Sequence, residues 1–341
     1  WMMTMRRLAC LSLLVSLFVA LHAQGESLTI MTFNVENLFD TTHDQGKNDE
    51  TYLPKRQKQS KQHINKCNKI NVNRWRDQCL YWDWSEAVVE QKLTVIGDAI
   101  KQVGDGEGPD IIAFQEVENE RILERLRTEQ LKGLGYQPSV LLEGSDIRGI
   151  DVAFLSKFPV TAPKLHEIKF PASQRARVGD TRPILEATFQ LPDGSLLTGF
   201  AVHFPAPFHP TEMRESAYTT LNKLLRQLPN ERAVFAAGDF NTTREEDRDK
   251  RMLNRWVRID WQVAHDLCQG CPGTSYYPPR DDWSFLDMVI WREAAGWTMT
   301  SSYLANKTAA QITSEGTPKR FELPEATGLS DHWPLVMVIE K

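Results

Sequence analysis

The sequence lacks the motifs of two large classes of enzyme. It contains neither the G-x-S-x-G pattern that surrounds a nucleophilic serine nor the glycine-rich P-loop that binds nucleotide phosphates. Ser330, Asp331 and His332 are consecutive, so their side chains cannot take the mutual geometry of a catalytic triad. Both serine-nucleophile and P-loop chemistry are therefore disfavoured.

Long apolar runs are missing, except near the start of the chain. There Arg6 and Arg7 precede the run LACLSLLVSLFVALHA, which is short for a bilayer span and ends at the small residue Ala23. We predict a secretory signal peptide at residues 1–23, with a retained membrane anchor as the alternative. Because no second such run follows, we expect a secreted or periplasmic protein with no integral membrane segment after signal removal.

The sequence has no excess of positive charge. It carries 40 Lys and Arg against 45 Asp and Glu, a formal charge of −5, which becomes −7 when Arg6 and Arg7 leave with the leader. An acidic protein does not attract polyanions through its net charge. Contact with nucleic acid or another phosphate would therefore need a local basic patch.

Cysteine is scarce, and four cysteines follow the leader. An even number in an exported protein favours disulfides, and we predict the pairs Cys67–Cys79 and Cys268–Cys271 among the three connectivities that four cysteines allow. The close pair in CQGC also fits a redox-active thiol pair or half of a zinc site. Zinc is disfavoured because a second closely spaced pair is absent.

Internal repeats and a domain-scale linker are absent as well, which predicts one domain over residues 24–341. A polar, lysine-rich stretch dotted with aromatic residues occupies about 41–84. We interpret it as a solvated surface insertion. The alternative is a substrate-facing loop, because Lys, Arg and Trp together suit contacts with phosphates and rings.

Apolar runs that are typical of buried strands alternate with amphipathic segments. The periodicity predicts helices over about 85–103, 120–131 and 211–228, and a turn at 192–194 predicts a hairpin. Hairpins together with strand–helix units predict mixed β-sheets with helices outside them, a layered α/β sandwich.

Polar side chains repeatedly interrupt or close these apolar runs. They are Asn34, Glu116, Asp151, His203, Asp239, Asn241, Asp287, Asp331 and His332. If the strands converge, these side chains would form one polar cluster in an apolar cleft. Carboxylate and carboxamide oxygens suit Mg²⁺, with Mn²⁺ or Ca²⁺ as alternatives, more than zinc. With two histidines beside them, the residue types indicate metal-assisted hydrolysis of phosphoesters by water.

The order of the motifs TFNVEN, DIIAFQEVEN, HFP, GDFN, SFLDMVIW and SDHWP resembles the endonuclease/exonuclease/phosphatase family. The resemblance extends from about Leu28 to Val338. It implies the deoxyribonuclease-I-like fold, a four-layer α/β sandwich in which helices flank two packed mixed sheets. It also implies divalent-metal-dependent phosphoester hydrolysis.

The resemblance also implies residue roles. Metal binding falls to Glu116 with Asn34 beside it, and Asp331 lies next to the metal and the nucleophile. Positioning of the attacking water and the phosphate falls to Asp239 and Asn241. His332 would contact the phosphate, and Asp287 would orient the imidazole of His332. His203 would stabilise charge on the phosphoryl oxygens.

Several questions stay open at this stage. Arg148 and Arg182 are candidate phosphate clamps, with surface salt bridges as the alternative. The expected substrate is a phosphodiester, either DNA or RNA, while a phospholipid or a sugar-phosphate ester is the rival. A non-catalytic binding module that keeps the fold is a third reading, and no stable protein partner is implied.

Overall fold

Two six-stranded β-sheets form the centre of the computed structural model, which describes residues 26–341 apart from the side chains of 175–177. The predicted signal peptide lies outside the described residues. The strands are β1 (Ser27–Leu38), β2 (Ile111–Val117), β3 (Val140–Leu141), β4 (Asp151–Ser156), β5 (Val160–His166), β6 (Ile184–Gln190), β7 (Leu196–His203), β8 (Ala233–Asp239), β9 (Gln262–Val263), β10 (Ser275–Tyr277), β11 (Asp282–Ser284), β12 (Asp287–Arg292), β13 (Thr298–Leu304) and β14 (Leu335–Glu340).

The strand order is β13-β14-β1-β2-β4-β3 in the first sheet and β5-β6-β7-β8-β12-β9 in the second, while β10 and β11 form a separate hairpin. One parallel pair lies inside each sheet, β1 with β2 and β7 with β8, and the other neighbours are antiparallel. The prediction of mixed sheets is therefore confirmed.

The helices of the described residues are α1 (Lys61–Cys67), α2 (Asn73–Tyr81), α3 (Glu86–Lys101), α4 (Glu120–Arg125), α5 (Thr211–Leu225), α6 (Arg244–Lys250) and α7 (Met252–Trp256). Four of them, α3, α4, α5 and α7, pack on the outer faces of the two sheets, while α1 and α2 belong to the insertion. The predicted helix at 120–131 begins correctly, but its second half is a π-helical turn. The other two predicted helices end two or three residues early.

Three apolar cores separate the four layers. The first packs α3 and α4 on the first sheet, and the third packs α5 and α7 on the second. Between the sheets, the rings of Phe154, Phe189 and Phe235 form a triangle with centroids 5.3–6.0 Å apart. Because both faces of the central strands are covered, AVFAAGD in β8 is buried throughout and does not alternate with polar residues.

The insertion at 41–84 folds as a stapled unit. It contains α1 and α2, and the predicted disulfide Cys67–Cys79 joins these two helices. At the end of the insertion, Trp84 is buried and its indole N–H donates to the carbonyl of Phe39. The second predicted disulfide, Cys268–Cys271, is also formed.

No helix among residues 26–341 is long and apolar enough to cross a membrane.

The phenylalanine triangle predicts a large stability effect. Phe235→Ala would leave a cavity between the sheets, so we expect the free energy of unfolding to fall by roughly 3–5 kcal/mol. Chemical denaturation followed by circular dichroism measures this change. The matched control is Phe208→Ala, because Phe208 is 73% exposed and should change stability little. Equal effects of the two substitutions would contradict this account of the core.

Candidate active site

Three site residues lie side by side on neighbouring strands of the second sheet. His203 ends β7 and Asp239 ends β8, and the two residues are paired in the parallel ladder. Asp287 begins β12 and pairs with Asp239 in the antiparallel ladder. Because β12 runs antiparallel to β8, the first residue of β12 lies beside the last residue of β8. This end of the sheet therefore contains the ends of β7 and β8 and the start of β12.

The first sheet contributes Asn34 from β1 and Glu116 from β2. Glu116 has a φ of +65° and lies at a register shift between Gln115 and Val117, so the strand bulges at this residue. The bulge lets its Oε2 accept a hydrogen bond from the N–H of Asn37 at 3.1 Å. A strained backbone at an acidic residue is typical of a functional site.

The two sheets meet at these side chains. Asn34 Nδ2 donates to Asp239 Oδ2 at 3.2 Å. His203 Nε2 lies 3.5 Å from the same Asp239 oxygen and 3.9 Å from Glu116 Oε1. The structure therefore brings Asn34, Glu116, His203 and Asp239 into one cluster.

His332 completes the cluster from the turn before β14. Its Nδ1 lies 2.6 Å from Asp287 Oδ2, and its backbone N–H donates to Ser330 Oγ at 3.1 Å. Burial alone would lower the pKa of His332, but the negative charges of Asp287 and Asp331 hold it well above its usual range. The imidazole is therefore cationic near neutral pH.

His203 has the opposite electrostatics. Burial and the positive charges of Arg182 and Arg148 hold the pKa of His203 well below its usual range, so its imidazole is neutral near pH 7. Its Nδ1 is buried and has no hydrogen-bond partner among the described residues. Asp151, another of the polar residues expected in the cluster, makes no hydrogen bond to His203 among the described residues, and its Oδ1 accepts from the N–H of Gly144 at 2.9 Å.

The GDFN turn holds Asp239 and Asn241 in a fixed geometry. A Cβ at Gly238 would lie 1.9 Å from the carbonyl oxygen of Val202, so only glycine fits against the neighbouring strand. Asn241 has a φ of +52°, and its N–H donates to Asp239 Oδ1 at 2.8 Å. Its side-chain Nδ2 donates to the carbonyl of Phe204 at 2.9 Å, so this donor orients the turn.

Asp331 belongs to an ionic network that the sequence reasoning missed. Arg320 donates through Nε to Glu36 Oε1 at 2.6 Å and lies 3.0 Å from Asp331 Oδ2. The N–H of Asp331 donates to Glu36 Oε2 at 3.1 Å, and burial raises the pKa of Glu36 to about 7. Lys92, fully buried, donates to the carbonyls of Glu36 and Leu329.

The sequence contained a sign of Glu36 but none of Arg320. Glu36 interrupts the same apolar run as Asn34, two residues later, so it belonged with the other polar interruptions. Arg320 lies in a loop, where no local pattern points to it.

The two candidate arginines lie in different surroundings. Arg148 lines the cleft, donates to Asn37 Oδ1 at 3.0 Å and lies 3.9 Å from Glu116 Oε2. Arg182 is buried below the cleft in an ion pair with Asp146, 3.1 Å away. It is neither a surface salt bridge nor part of the cleft wall.

The donor set fits a hard divalent cation. Burial, followed by the charge of Asp287, raises the pKa of Asp239 to about 7, and a bound cation would stabilise the ionised form of this carboxylate. The predicted ligands Glu116, Asn34 and Asp331 all offer oxygen. Ligating atoms of Asp239, Asp287 and His332 also lie within 4.8 Å of one another. We favour the oxygen set, because His332 Nδ1 is hydrogen-bonded to Asp287 and a cationic imidazole is a poor metal ligand.

A family model described as the Endonuclease/Exonuclease/phosphatase family matches residues 86–332. The chain belongs to this family. Its members are generally divalent-metal-dependent phosphoester hydrolases. No curated protein matches the chain.

Solved structures of this family share the fold. The endonuclease/exonuclease/phosphatase from Bacteroides vulgatus is 17% identical over 92% of this chain and 99% of that chain, with a TM-score of 0.55. A family protein from Bacteroides thetaiotaomicron is 15% identical over 93% and 98%, with a TM-score of 0.56. D. rerio TDP2 complexed with a single-strand DNA product is 13% identical over 92% and 99%, with a TM-score of 0.55. The predicted deoxyribonuclease-I-like, four-layer fold is confirmed.

The Asp287–His332 pair predicts a measurable pKa change. Asp287→Asn removes the nearest negative charge, so we expect the pKa of the His332 imidazole to fall by roughly 1–3 pH units. Heteronuclear NMR of the imidazole in metal-free protein measures it. Asp282→Asn, in the β10–β11 hairpin, is the matched control. An unchanged His332 titration in the Asp287 variant would show that the pair does not govern this imidazole.

Proposed function

We propose that this protein is a divalent-metal-dependent phosphodiesterase of the nuclease type, with Mg²⁺ as the favoured ion and Mn²⁺ or Ca²⁺ as alternatives. The observation that carries the proposal is the convergence of Glu116, His203, Asp239 and His332, from four separate segments, on one cleft edge. A site with hard oxygen donors and two differently charged histidines suits phosphoester chemistry.

Glu116, Asn34 and Asp331 would hold the cation. When bound, it would neutralise the charge that develops on the phosphate oxygens. The Arg320–Glu36 network fixes Asp331 for this purpose.

His332 provides a positioned cationic donor. Asp287 keeps Nδ1 protonated and fixes the ring, so that Nε2 donates to a non-bridging phosphate oxygen in the cleft. This donor would stabilise the transition state more than the bound substrate to the extent that attack of water on phosphorus places further negative charge on those oxygens.

Asp239 is the acceptor for the proton of the attacking water. Its carboxylate is held by Asn34 Nδ2 and the N–H of Asn241, and its pKa of about 7 suits a general base near neutral pH. His203, neutral and adjacent, would donate to the phosphoryl oxygens through Nε2. Arg148 is the proposed phosphate contact, while Arg182, which donates to the carbonyl of Asp180, positions a residue of the cleft wall.

Several features bear on the substrate and the compartment. A nucleic-acid diester is our proposal, supported by the DNA product in the D. rerio TDP2 structure. A phospholipid or sugar-phosphate ester is the rival outcome of the tests. A non-catalytic module is disfavoured by the intact Asp287–His332 pair.

We propose a secreted or periplasmic location, which the two disulfides support.

Metal dependence gives the first test of function. We expect the purified protein to hydrolyse bis-p-nitrophenyl phosphate, because the site requires only a diester and a cation. Activity should disappear with EDTA and return with excess Mg²⁺. Release of p-nitrophenol measures the rate. Turnover that survives EDTA, or no turnover with any divalent cation, would remove the proposed activity.

Two substitutions test the assigned roles. His332→Ala removes the cationic donor and Asp239→Ala the general base, so each should lower kcat by roughly 10²–10⁴-fold. The matched controls are His166→Ala and Asp260→Ala, which lie in ion pairs outside the cleft. Thermal unfolding should show that all four variants are folded. Near-normal kcat in a folded His332 or Asp239 variant would remove that residue from the mechanism.

A further inference from the structure

The stapled insertion forms one wall of the catalytic cleft. The cleft has a volume of about 420 Å³, and Arg74, Trp75 and Gln78 of α2 line it together with Glu116 and His332. Because α2 borders the cleft, the structure favours the substrate-facing alternative for 41–84 over a purely solvated insertion.

Two aromatic side chains are exposed in this cleft. Trp75 is 58% exposed on α2, and Phe208 is 73% exposed in the loop between β7 and α5. Exposed aromatic rings beside a catalytic cluster offer faces on which planar groups can stack. Phe208 lies in the segment PAPFHP, directly after His203 and Phe204, so one of the rings is held a few residues from a proposed catalytic group.

The insertion also supplies the local positive charge that the chain as a whole lacks. Residues 41–84 contain nine Lys and Arg against five Asp and Glu, a formal charge of +4 in a chain of −5. Arg74 reaches the cleft from this segment, while Arg148 and Arg320 reach it from the main domain. Arg74 Nη2 also donates to the exposed Glu322 Oε1 at 2.8 Å, and four carboxylates line the same cleft, so the arginines offer a polyanion local contacts rather than a net positive site.

Polar side chains line the same wall. Asn48, Thr51 and Gln78 face the cleft with hydrogen-bonding groups that match the edges of nucleobases. An acyl chain would instead require an apolar lining. Six aromatic side chains, Trp75 and Phe208 among them, complete the lining, and planar rings together with amide groups suit a base more than an extended acyl chain.

The wall is held rigidly for binding. Cys79 of α2 is bonded to Cys67 of α1, and the carbonyl of Cys79 lies 3.0 Å from His63 Nε2. Because α2 is fixed before the substrate arrives, less ordering entropy opposes stacking on Trp75.

We propose that Trp75 and Phe208 form a base-stacking subsite for a single-stranded nucleic acid, and that Arg74 binds a phosphate beside the one that is cut. This inference rests on the proposed function for the position of the scissile phosphate. It adds recognition of a base, which bond cleavage alone does not require.

Equilibrium binding tests the subsite without catalysis. Fluorescence anisotropy in EDTA compares a labelled oligo(dT) strand with an abasic strand of the same length. The wild-type protein should bind oligo(dT) more tightly, and Trp75→Ala should weaken oligo(dT) binding by roughly 5- to 150-fold while leaving the abasic strand unchanged. Trp75→Phe should retain most of the preference. Arg74→Gln should weaken both strands alike.

The same anisotropy assay provides a control variant and the outcomes that would overturn the proposal. Tyr277→Ala removes an exposed ring outside the cleft and should change neither affinity. Equal wild-type affinity for the two strands would overturn the proposal, as would an unaffected Trp75→Ala variant. Trp75-dependent binding to anionic phospholipid vesicles without Trp75-dependent binding to oligo(dT) would overturn it in favour of a lipid.

Hydrolysis of bis-p-nitrophenyl phosphate distinguishes failure of the base-stacking subsite from failure of the proposed phosphodiesterase activity. Base-dependent binding without metal-dependent turnover would leave the subsite and remove the proposed activity. Turnover without base-dependent binding would leave the activity and remove the subsite.

Discussion

Burial of charge at the shared edge of two sheets is the constraint on which the rest of this structure depends. Asn34 Nδ2 joins the sheets by donating to Asp239, and the ladder places His203 and Asp287 on either side of that carboxylate. Charged groups in so little water are tolerated only when partners or a cation compensate them. The opposite pKa changes of His203 and His332 follow from this constraint. Burial, aided by the charges of Arg182 and Arg148, lowers the pKa of His203, whereas the carboxylates of Asp287 and Asp331 outweigh burial and raise the pKa of His332.

Most of the sheet and site could be predicted from sequence because each strand carried a local signal. Apolar runs identified β1, β2, β7, β8, β12 and β14, and the polar interruptions identified the residues at their edges. Of the polar residues expected to interrupt or close apolar runs, His203 and Asp239 end their strands, whereas Asp151 and Asp287 begin theirs. An apolar run in the sequence does not show whether its strand runs toward or away from the site. Only the pairing of the strands in the sheet shows this direction.

The parts that could not be predicted are those that depend on distant partners. Arg320 contacts Glu36, 284 positions earlier in the chain, and no spacing rule encodes such a pair. Arg182 was expected to be a phosphate clamp or a surface charge, but Asp146 pairs with it in the interior. The insertion was recognised by its composition alone. Its position beside the cleft depends on the Cys67–Cys79 disulfide and on the buried Trp84, whose indole N–H donates to the carbonyl of Phe39.

The two sheets share one pattern, a parallel pair bordered on each side by antiparallel strands, and the site lies where their edges coincide. Each sheet thus contributes residues to the candidate site, and side-chain packing together with hydrogen bonds such as Asn34–Asp239 fixes one sheet against the other. A slip of a single residue, about 3.3 Å, would part Asn34 from Asp239 while leaving every strand intact. The aromatic layer between the sheets therefore helps to align the two halves of the candidate site, and its shape is constrained by the site as well as by folding.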